Sequence, residues 1–259
     1  MIQTVADIRK RLQEADAAEF AVLERSLVAD TRKGVLSAIE SARRRLEAQQ
    51  AEATRIEGLY AYECELARGG VAVGLDEVGR GPVAGPLTVG AVVLPPEPRI
   101  LGLNDSKQLT AQHREELAAQ IKETAIAWTV QHVEPDSIDA VGMTASLRFA
   151  FLKALGAIEE QGVSFDAVLL DGNPMRLDPR EKNVVKGDAK CASIAAASIV
   201  AKVERDGIMC RMSERYPVYG FDANKGYASK DHIDAIKEHG LSPIHRVSFC
   251  TAFTQETLF

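Results

Sequence analysis

The sequence predicts an α/β fold, in which a mixed β-sheet flanked by helices follows a helical N-terminal extension. Short valine-rich runs are typical of strands, and apolar residues recur at helical spacing in longer segments between and after them. The composition also changes near Val71, where a segment rich in Ala, Glu, Arg and Leu gives way to the valine-rich runs. Because strands come early and helices late, with some alternation, we expect one sheet with helices on its faces.

Residues 1–68 are the predicted extension, and residues 69–259 are the predicted second domain. Thr4 has the character of a helix N-cap, and Gly69–Gly70 ends the last helical pattern. Two short helices and one long helix are therefore expected in the extension. The arginine run at 43–45 could contact nucleic acid, but the many acidic residues around it favour a solvated helix face.

The second domain contains four predicted strands and four predicted helices. The strands are expected at 71–76, 86–94, 127–133 and 166–171. Thr110 and Ser229 are candidate N-caps for two of the helices. The helix at 191–206 is apolar nearly all round, which predicts that it lies buried against the sheet. The helices are expected at 111–123, 144–162, 191–206 and 230–239.

Composition and charge exclude several classes of protein. The 259 residues carry a net charge of −6, so the chain is not a globally basic nucleic-acid binder, although a locally basic groove is compatible with it. Its four cysteines form no C-x-x-C pair and its five histidines show no zinc spacing, which predicts reduced thiols. No apolar run is long enough to cross a bilayer, and the N-terminus lacks the pattern of a signal peptide. We therefore expect a monomeric cytoplasmic protein that does not bind membranes.

The stretch GLDEVGRGPVAGPL (residues 74–87) places two adjacent carboxylates ahead of a glycine-rich loop. Gly79, Gly81 and Ala84 match the G-x-G-x-x-A pattern of dinucleotide-binding loops. Three features count against that interpretation: a strand-like segment follows instead of a helix, Pro82 lacks an N–H donor, and the acids would repel a diphosphate. An acidic metal site with a close backbone approach to a substrate fits better.

Further carboxylates occupy similar positions along the chain. Asp76 and Glu77 come at the end of the first predicted strand. Asp171 ends the apolar run AVLLD before a glycine, and Asp188 ends the short valine-containing run VVKGD. An Asp at a strand end before glycine is most often a turn residue, but three such strand ends in one domain are harder to explain that way. Because Mg²⁺ prefers oxygen ligands, these acids are candidate metal ligands.

Basic residues lie close to these acids in the sequence. Lys186 and Lys190 flank Asp188, and Tyr227 stands between two lysines in NKGYASK. Cations with an aromatic ring between them are suited to contact a nucleic-acid backbone and to stack on it. A lysine-rich turn before a capped helix is ordinarily only solvated, so this pattern alone is weak evidence.

Seven motifs occur between residues 71 and 249: DEVGRGPVAGP, NDSKQLT, LLDGN, VVKGDAK, SIAAASIVAKVERD, KGYASKDHIDAIKEHG and HRVSF. Their order and rough spacing resemble those of ribonuclease HII, the type 2 ribonuclease H. The resemblance implies an RNase H-like fold, with a mixed sheet flanked by helices and a helical C-terminal part. It assigns no role to the extension at 1–68.

The resemblance also implies which residues form the site. The acidic positions that are catalytic and bind metal fall on Asp76, Glu77, Asp171 and Asp188. The candidate substrate-binding residues are then Gly79, Arg80, Gly81, Lys107, Lys186, Lys190 and Tyr227. Ala228 and Ser229 follow the tyrosine where the family usually has Gly or Pro and then Thr, which is expected to tune the loop rather than abolish it. Asp206 belongs to a family motif and is expected either to have a structural role or to support the metal ligands without binding the metal.

The function implied by the resemblance is endonucleolytic hydrolysis assisted by two Mg²⁺ or Mn²⁺ ions. The expected partners are RNA–DNA hybrids, in which the RNA strand is hydrolysed, and DNA duplexes with an embedded ribonucleotide. The latter are cut 5′ of the ribonucleotide, which leaves 5′-phosphate and 3′-hydroxyl ends. Gly79 and Gly81 would let backbone atoms reach the 2′-hydroxyl, and Tyr227 would stack on the next sugar. A dinucleotide-dependent oxidoreductase and a non-catalytic nucleic-acid-binding module remain as alternatives.

Overall fold

The computed structural model describes residues 4–254 of the chain. Backbone packing divides the chain into two compact units, Met1–Glu57 and Gly58–Phe259. This division falls inside the long third helix, whereas the sequence predicts a domain boundary at residue 68. The boundary at residue 68 therefore stays a prediction.

The first unit contains two short helices and the first part of a long helix, as predicted. They are α1 (Val5–Glu14), α2 (Ala17–Ser26) and α3 (Lys33–Leu66). A capping box starts α1: the Asp7 N–H donates to the Thr4 hydroxyl, and the Thr4 N–H donates to the Asp7 carboxylate, both at 3.2 Å. Buried apolar residues of all three helices form the core of the unit: Ile8, Leu12, Phe20, Val35 and Ile39.

The arginine run at 43–45 makes contacts inside the first unit. Arg43 forms ion pairs with Glu24 and Glu40. Arg45 donates through Nη2 to two carbonyl oxygens at the end of α1, at 3.2 and 2.6 Å. This arrangement fits the predicted helix face with acidic neighbours better than it fits a nucleic-acid patch.

The second unit is built around a five-stranded mixed sheet. The strands are β1 (Ala72–Val78), β2 (Leu87–Val93), β3 (Ala127–Val133), β4 (Ala167–Asp171) and β5 (Glu181–Val184), in the spatial order β3-β2-β1-β4-β5. β1 lies at the centre, because it pairs antiparallel with β2 and parallel with β4. The sequence predicts the first four strands but not β5, whose residues Glu-Lys-Asn-Val lack an apolar pattern.

Helices cover both faces of this sheet, as predicted. α7 packs across β1 and β2, and its first ten residues are all buried, which confirms the prediction from its apolar composition. α6 packs on the opposite face, where Val73 and Leu75 of β1 point. The helices are α4 (Ala111–Thr124), α5 (Pro135–Val141), α6 (Met143–Glu160), α7 (Ala192–Arg215), α8 (Phe221–Asn224), α9 (Lys230–His239) and α10 (Val247–Thr254).

Within residues 4–254, no single helix is both long enough and apolar enough to cross a membrane, although α5 and α6, which meet at a 119° bend, would pass that test as a pair.

Candidate active site

A cavity of about 410 Å³ opens at the ends of β1 and β4. It brings together all the site residues predicted from the sequence except Lys186 and Lys190, which are exposed on the turn around Asp188. It also includes four residues that the sequence analysis missed: Val78, Ser106, Ser198 and Lys202. The residues that line it are Asp76, Glu77, Val78, Gly79, Arg80, Gly81, Ser106, Lys107, Asp171, Asp188, Ser198, Lys202 and Tyr227.

Asp76 is held deep in the cavity by the central strand of the sheet. Its Oδ1 accepts the Glu77 N–H at 2.8 Å, and its side chain also accepts from the Ser198 hydroxyl. Ser198 in turn lies 3.0 Å from the Ser106 hydroxyl, so the turn that carries Lys107 is linked to this acid. Burial raises the pKa of Asp76 well above its usual value, and the nearby charges of Glu77 and Asp171 raise it further.

Glu77 lies at the mouth of the same cavity. Its Oε1 accepts from Arg80 Nη1 at 3.1 Å, and only 16% of its side chain is exposed. Burial raises the pKa of Glu77, the Arg80 guanidinium opposes this shift, and the charge of Asp171 adds to it. The carboxylates of Asp76 and Glu77 therefore lie close to a third carboxylate, that of Asp171.

Asp171 and Asp188 come from neighbouring elements that one hydrogen bond joins. Asp171 ends β4, and its Oδ1 accepts the Gly187 N–H at 2.6 Å. Asp188 lies on the single helical turn at 187–189 rather than at the end of a strand, which corrects the prediction from VVKGD. Burial raises the pKa of Asp188, the charges of Asp105 and Asp171 raise it further, and Lys107 opposes them.

The donor set suits a hard divalent cation. All four predicted ligands are carboxylates, and three of them have raised pKa values because they are buried beside one another. Nevertheless, within the described part of the chain, no group of three His, Cys, Asp or Glu side chains is already arranged to hold a metal ion. Asp171 Oδ1 accepts from Gly187 and Glu77 Oε1 accepts from Arg80, so a bound ion would share these carboxylates with hydrogen-bond donors of the protein.

Lys202 and Asp206 are placed together on α7. Lys202 Nζ donates to Asp206 Oδ1 at 2.7 Å, and the Arg114 guanidinium lies 4.0 Å from Asp206 Oδ2. Asp206 is therefore the partner that holds Lys202 beside the cavity, in agreement with its predicted structural role. The spacing of Ser198, Lys202 and Asp206, four residues apart on one helix, was the sequence signal that could have found this face.

Two buried arginines shape the glycine-rich loop. Arg246 donates to four carbonyl oxygens of the loop, those of residues 79, 80, 82 and 85. Arg205 donates to the carbonyl oxygens of residues 84 and 86. The loop leads directly into β2 rather than into a helix, so the dinucleotide-binding interpretation is wrong.

Gly79 and Gly81 differ in what surrounds them. A Cβ atom on Gly79, whose φ is +92°, would lie 2.3 Å from Arg205 Nε and 2.8 Å from the Pro86 carbonyl oxygen. A Cβ atom on Gly81 would meet only the Tyr227 ring, at 3.8 Å. Gly79 is thus needed for the loop to fold, whereas Gly81 leaves open space beside Tyr227.

Comparisons with known proteins match nearly the whole chain to one protein family. A family model described as Ribonuclease HII matches residues 73–252, and one described as Ribonuclease HII N-terminal domain matches residues 4–67. The chain is 40% identical over 260 residues to a ribonuclease HII of Halalkalibacterium halodurans, which covers 98% of each protein.

Two solved structures resemble this chain in fold and sequence. Ribonuclease H2 from Pyrococcus horikoshii OT3 is 27% identical with a TM-score of 0.60, covering 72% of this chain and 100% of that one. RNase HII in its complex with PCNA from Archaeoglobus fulgidus is 29% identical with a TM-score of 0.61, covering 72% of this chain and 98% of that one.

Proposed function

The chain belongs to the ribonuclease HII family, and on that premise we propose that it is a metal-dependent nuclease that also cuts DNA duplexes at single embedded ribonucleotides. Family membership establishes the general activity, which is that of a ribonuclease H: a hydrolase that cuts nucleic acid internally. The fold is the RNase H-like fold that the sequence predicts. We infer the finer points: hydrolysis of the RNA strand of hybrids, and cleavage 5′ of embedded ribonucleotides to give 5′-phosphate and 3′-hydroxyl ends.

One observation carries the proposal. A single cavity combines four carboxylates with a glycine–arginine–glycine loop and a half-exposed tyrosine. The carboxylates supply ligands for cations, whereas the loop and the ring offer a surface for a sugar and its phosphate. A phosphodiester whose ribose lies on the loop would therefore present its phosphate to the acids.

We assign the ligands of the proposed metal to Asp76, Glu77, Asp171 and Asp188, which line the same cavity. When bound, Mg²⁺ or Mn²⁺ ions would activate a water molecule and stabilise the charge on the phosphate and the leaving oxygen. The protein's own contribution is to hold three of the acids near the ends of β1 and β4 and Asp188 on the neighbouring turn, and to keep Asp76 buried with the Ser198 hydroxyl donating to it.

Cations at the rim are assigned to the phosphates. Arg80, Lys107 and Lys202 line the cavity and could each contact a phosphate oxygen near the scissile bond. Lys186 and Lys190 are exposed beside Asp188, outside the cavity lining, so we assign them to phosphates farther along the backbone. These local charges supply the basic groove that the acidic chain as a whole lacks.

Recognition of ribose is assigned to the loop and to Tyr227. The open space at Gly81 would let the backbone approach a 2′-hydroxyl, which is both a donor and an acceptor. The Tyr227 ring, 50% exposed, would stack on the sugar that follows the ribonucleotide. A protein with these features would distinguish one ribonucleotide within a DNA strand.

Cleavage of a labelled DNA duplex carrying one ribonucleotide tests the proposal. We expect cutting 5′ of the ribonucleotide, its loss with a chelator, and its recovery with Mg²⁺ or Mn²⁺. Asp171→Asn should keep the fold, since the amide oxygen can still accept from Gly187, but should lose about a hundredfold or more in rate. Even partners that only support a metal ligand are worth about 10–100-fold in other enzymes.

The control is Asp234→Asn, at an exposed position of α9, which should cut at the wild-type rate. Wild-type cleavage by Asp171→Asn would contradict the metal assignment. Binding of the duplex without any chelator-sensitive cleavage would instead favour the non-catalytic binding module.

We also propose that the protein acts as a monomer in the cytoplasm, in the repair of DNA that contains ribonucleotides. The acidic net charge and the four cysteines without a C-x-x-C pair support this setting. Light scattering of the purified protein, alone and with duplex, tests the monomer.

A further inference from the structure

Two buried histidines lie behind the loop that carries Tyr227. His232 is in the first turn of α9 and His245 lies between α9 and α10, and their side chains are 0% and 3% exposed. Their Nε2 atoms are 3.0 Å apart. The rings of Tyr219 and Phe221 pack against both imidazoles at centroid distances of 4.9–6.2 Å and keep the pair away from water.

The hydrogen bonds of this pair run in one direction. The Ser242 N–H donates to His245 Nδ1 at 2.8 Å, and because a backbone N–H can only donate, the proton of His245 must be on Nε2. His245 Nε2–H then donates to His232 Nε2, which leaves the proton of His232 on Nδ1. His232 Nδ1–H donates to the Tyr227 carbonyl oxygen at 2.7 Å. Ser242, His245, His232 and Tyr227 therefore form a hydrogen-bond relay, in which the two histidine rings are neutral and have opposite tautomers.

The relay ends at the Tyr227 carbonyl group. This is the last of three consecutive carbonyl groups, at residues 225–227, that are each held by hydrogen bonds from another part of the fold. Arg205 donates to the Lys225 carbonyl oxygen at 2.9 Å. The N–H groups of Val83 and Ala84, in the glycine-rich loop, donate to the Gly226 carbonyl oxygen at 2.9 and 3.2 Å. The Tyr227 carbonyl accepts from His232 and from the Ser229 N–H. Three separate parts of the fold thus determine where the tyrosine stands.

The other end of the relay is attached to the glycine-rich loop. His245 forms an antiparallel bridge with Ala84, and the next residue, Arg246, donates its N–H to the Val83 carbonyl oxygen at 2.8 Å. The relay therefore connects the backbone of the loop, through two side chains, to the backbone of Tyr227. A change in the relay would alter the position of the Tyr227 ring relative to Gly81.

We propose that His232 and His245 are positioning residues for ribonucleotide recognition, which fix Tyr227 against the glycine-rich loop through a one-directional hydrogen-bond relay. This inference rests on the proposed role of Tyr227 in stacking on the sugar. The histidines do not touch the substrate, and their effect is transmitted through the Tyr227 backbone.

The tautomers can be tested on the full-length protein without any activity measurement. In long-range ¹H–¹⁵N spectra of protein with ¹⁵N-labelled histidine, we expect at pH 7 a neutral Nε2–H tautomer for His245 and a neutral Nδ1–H tautomer for His232. Spectra of variants that each lack one of the two histidines assign the signals to His232 and His245. The reverse pair of tautomers, or a charged ring at either position, would overturn the relay.

Kinetics test the positioning role. The quantity to measure is the ratio of kcat/KM on the single-ribonucleotide duplex to kcat/KM on a uniform RNA–DNA hybrid. His232→Phe keeps the ring volume but removes the donor, so this ratio should fall about three- to tenfold. His232→Asn places an amide N–H near the position of Nδ1 but removes the acceptor for His245, so the ratio should fall less than in His232→Phe.

A double-mutant cycle separates this role from general loss of structure. In a Tyr227→Ala background, His232→Phe should leave the ratio unchanged, because the residue it positions is gone. His132→Phe is the matched control, since His132 is a half-buried histidine hydrogen-bonded to Thr88 on β2, and it should leave the ratio unchanged. A wild-type ratio for folded His232→Phe, or an equal further loss in the Tyr227→Ala background, would overturn the proposal.

If the wild-type protein did not cut the single-ribonucleotide duplex, the proposed function would fail, and the spectra would still decide on the relay.

Discussion

Asp76 is the most buried of the four carboxylates in the cavity, with 6% of the residue exposed. Its pKa is raised by burial first and by the charges of Glu77 and Asp171 second. A charged carboxylate at this position therefore reduces the stability of the metal-free protein. A bound cation would remove that cost, which is the physical reason to expect such an arrangement at a metal site rather than in a purely structural core.

This cost predicts how stability depends on pH. An unfolded Asp titrates near pH 3.9, and the folded pKa of Asp76 is higher, so the folded protein binds more protons between the two values. The stability that this group contributes is present below about pH 4 and is lost as pH rises through the folded pKa. In urea titrations with a chelator, we expect the free energy of unfolding to fall over that range, and to fall less in Asp76→Asn. Parallel curves for the two proteins would contradict the assignment.

The two glycines of the loop give a second prediction at the scale of single residues. Gly81→Ala should fold normally, because its Cβ would meet only the Tyr227 ring at 3.8 Å, but it should cut the single-ribonucleotide duplex about tenfold or more slowly by obstructing the ribose. Gly79→Ala should lower the melting temperature, because its Cβ would collide with Arg205 and Pro86. Melting curves and cleavage rates of both variants check this. Full activity of Gly81→Ala would mean that the backbone there does not approach the ribose.

At the scale of elements, the end of α3 is a structural part of the second unit. Glu63 is buried, and its Oε2 accepts both the N–H and the hydroxyl of Ser193, each at 2.7 Å. The N-cap position of α7 is Cys191, whose side chain makes no capping bond, so Glu63 supplies the missing acceptor from another helix. Burial raises the pKa of Glu63, and the bonds from Ser193 oppose this shift.

Glu63→Ala is therefore expected to destabilise the protein by about 1–3 kcal/mol, because it leaves two buried donors of Ser193 without their acceptor. Glu63→Gln keeps an oxygen acceptor and should cost less. Chemical denaturation of both variants provides the measurement, and Glu65→Ala on the neighbouring, exposed part of α3 is the control. Equal stability of Glu63→Ala and wild type would show that the contact is not used.

At the scale of the whole molecule, the site at which the extension could be removed follows from these contacts. Tyr60 accepts the Ile100 N–H at 3.3 Å and lies beneath the Arg99 guanidinium at 4.4 Å, so α3 is already part of the second unit well before residue 68. A chain that starts at Gly58 keeps these contacts together with Glu63, whereas a chain that starts at Gly70 loses them all.

We expect the chain that starts at Gly58 to fold and to cut the single-ribonucleotide duplex. The chain that starts at Gly70 should have a lower melting temperature, because the N-terminus of α7 and the Ile100 N–H lose their buried partners. Circular dichroism melts and cleavage assays compare the two. Identical melting of both chains would favour the predicted boundary at residue 68.

The sequence by itself determined the periodic elements and the acids at the strand ends. Valine-rich runs and capped helical patterns depend on neighbours in the chain, and Asp76 and Asp171 were found because each follows such a run. The sequence alone did not show that Lys202 lines the cavity or that Asp188 lies on a helical turn. Both positions depend on which elements pack together.

Only the tertiary structure decided how the recognition loops are held. Arg246 bonds to carbonyl groups more than 160 residues away in the chain, and the pairing of His232 with His245 depends on the return of the chain after α9. A backbone carbonyl has no signature in the sequence, since every residue carries one. Side chains that bind distant carbonyl groups therefore become recognisable only when the fold brings the two together.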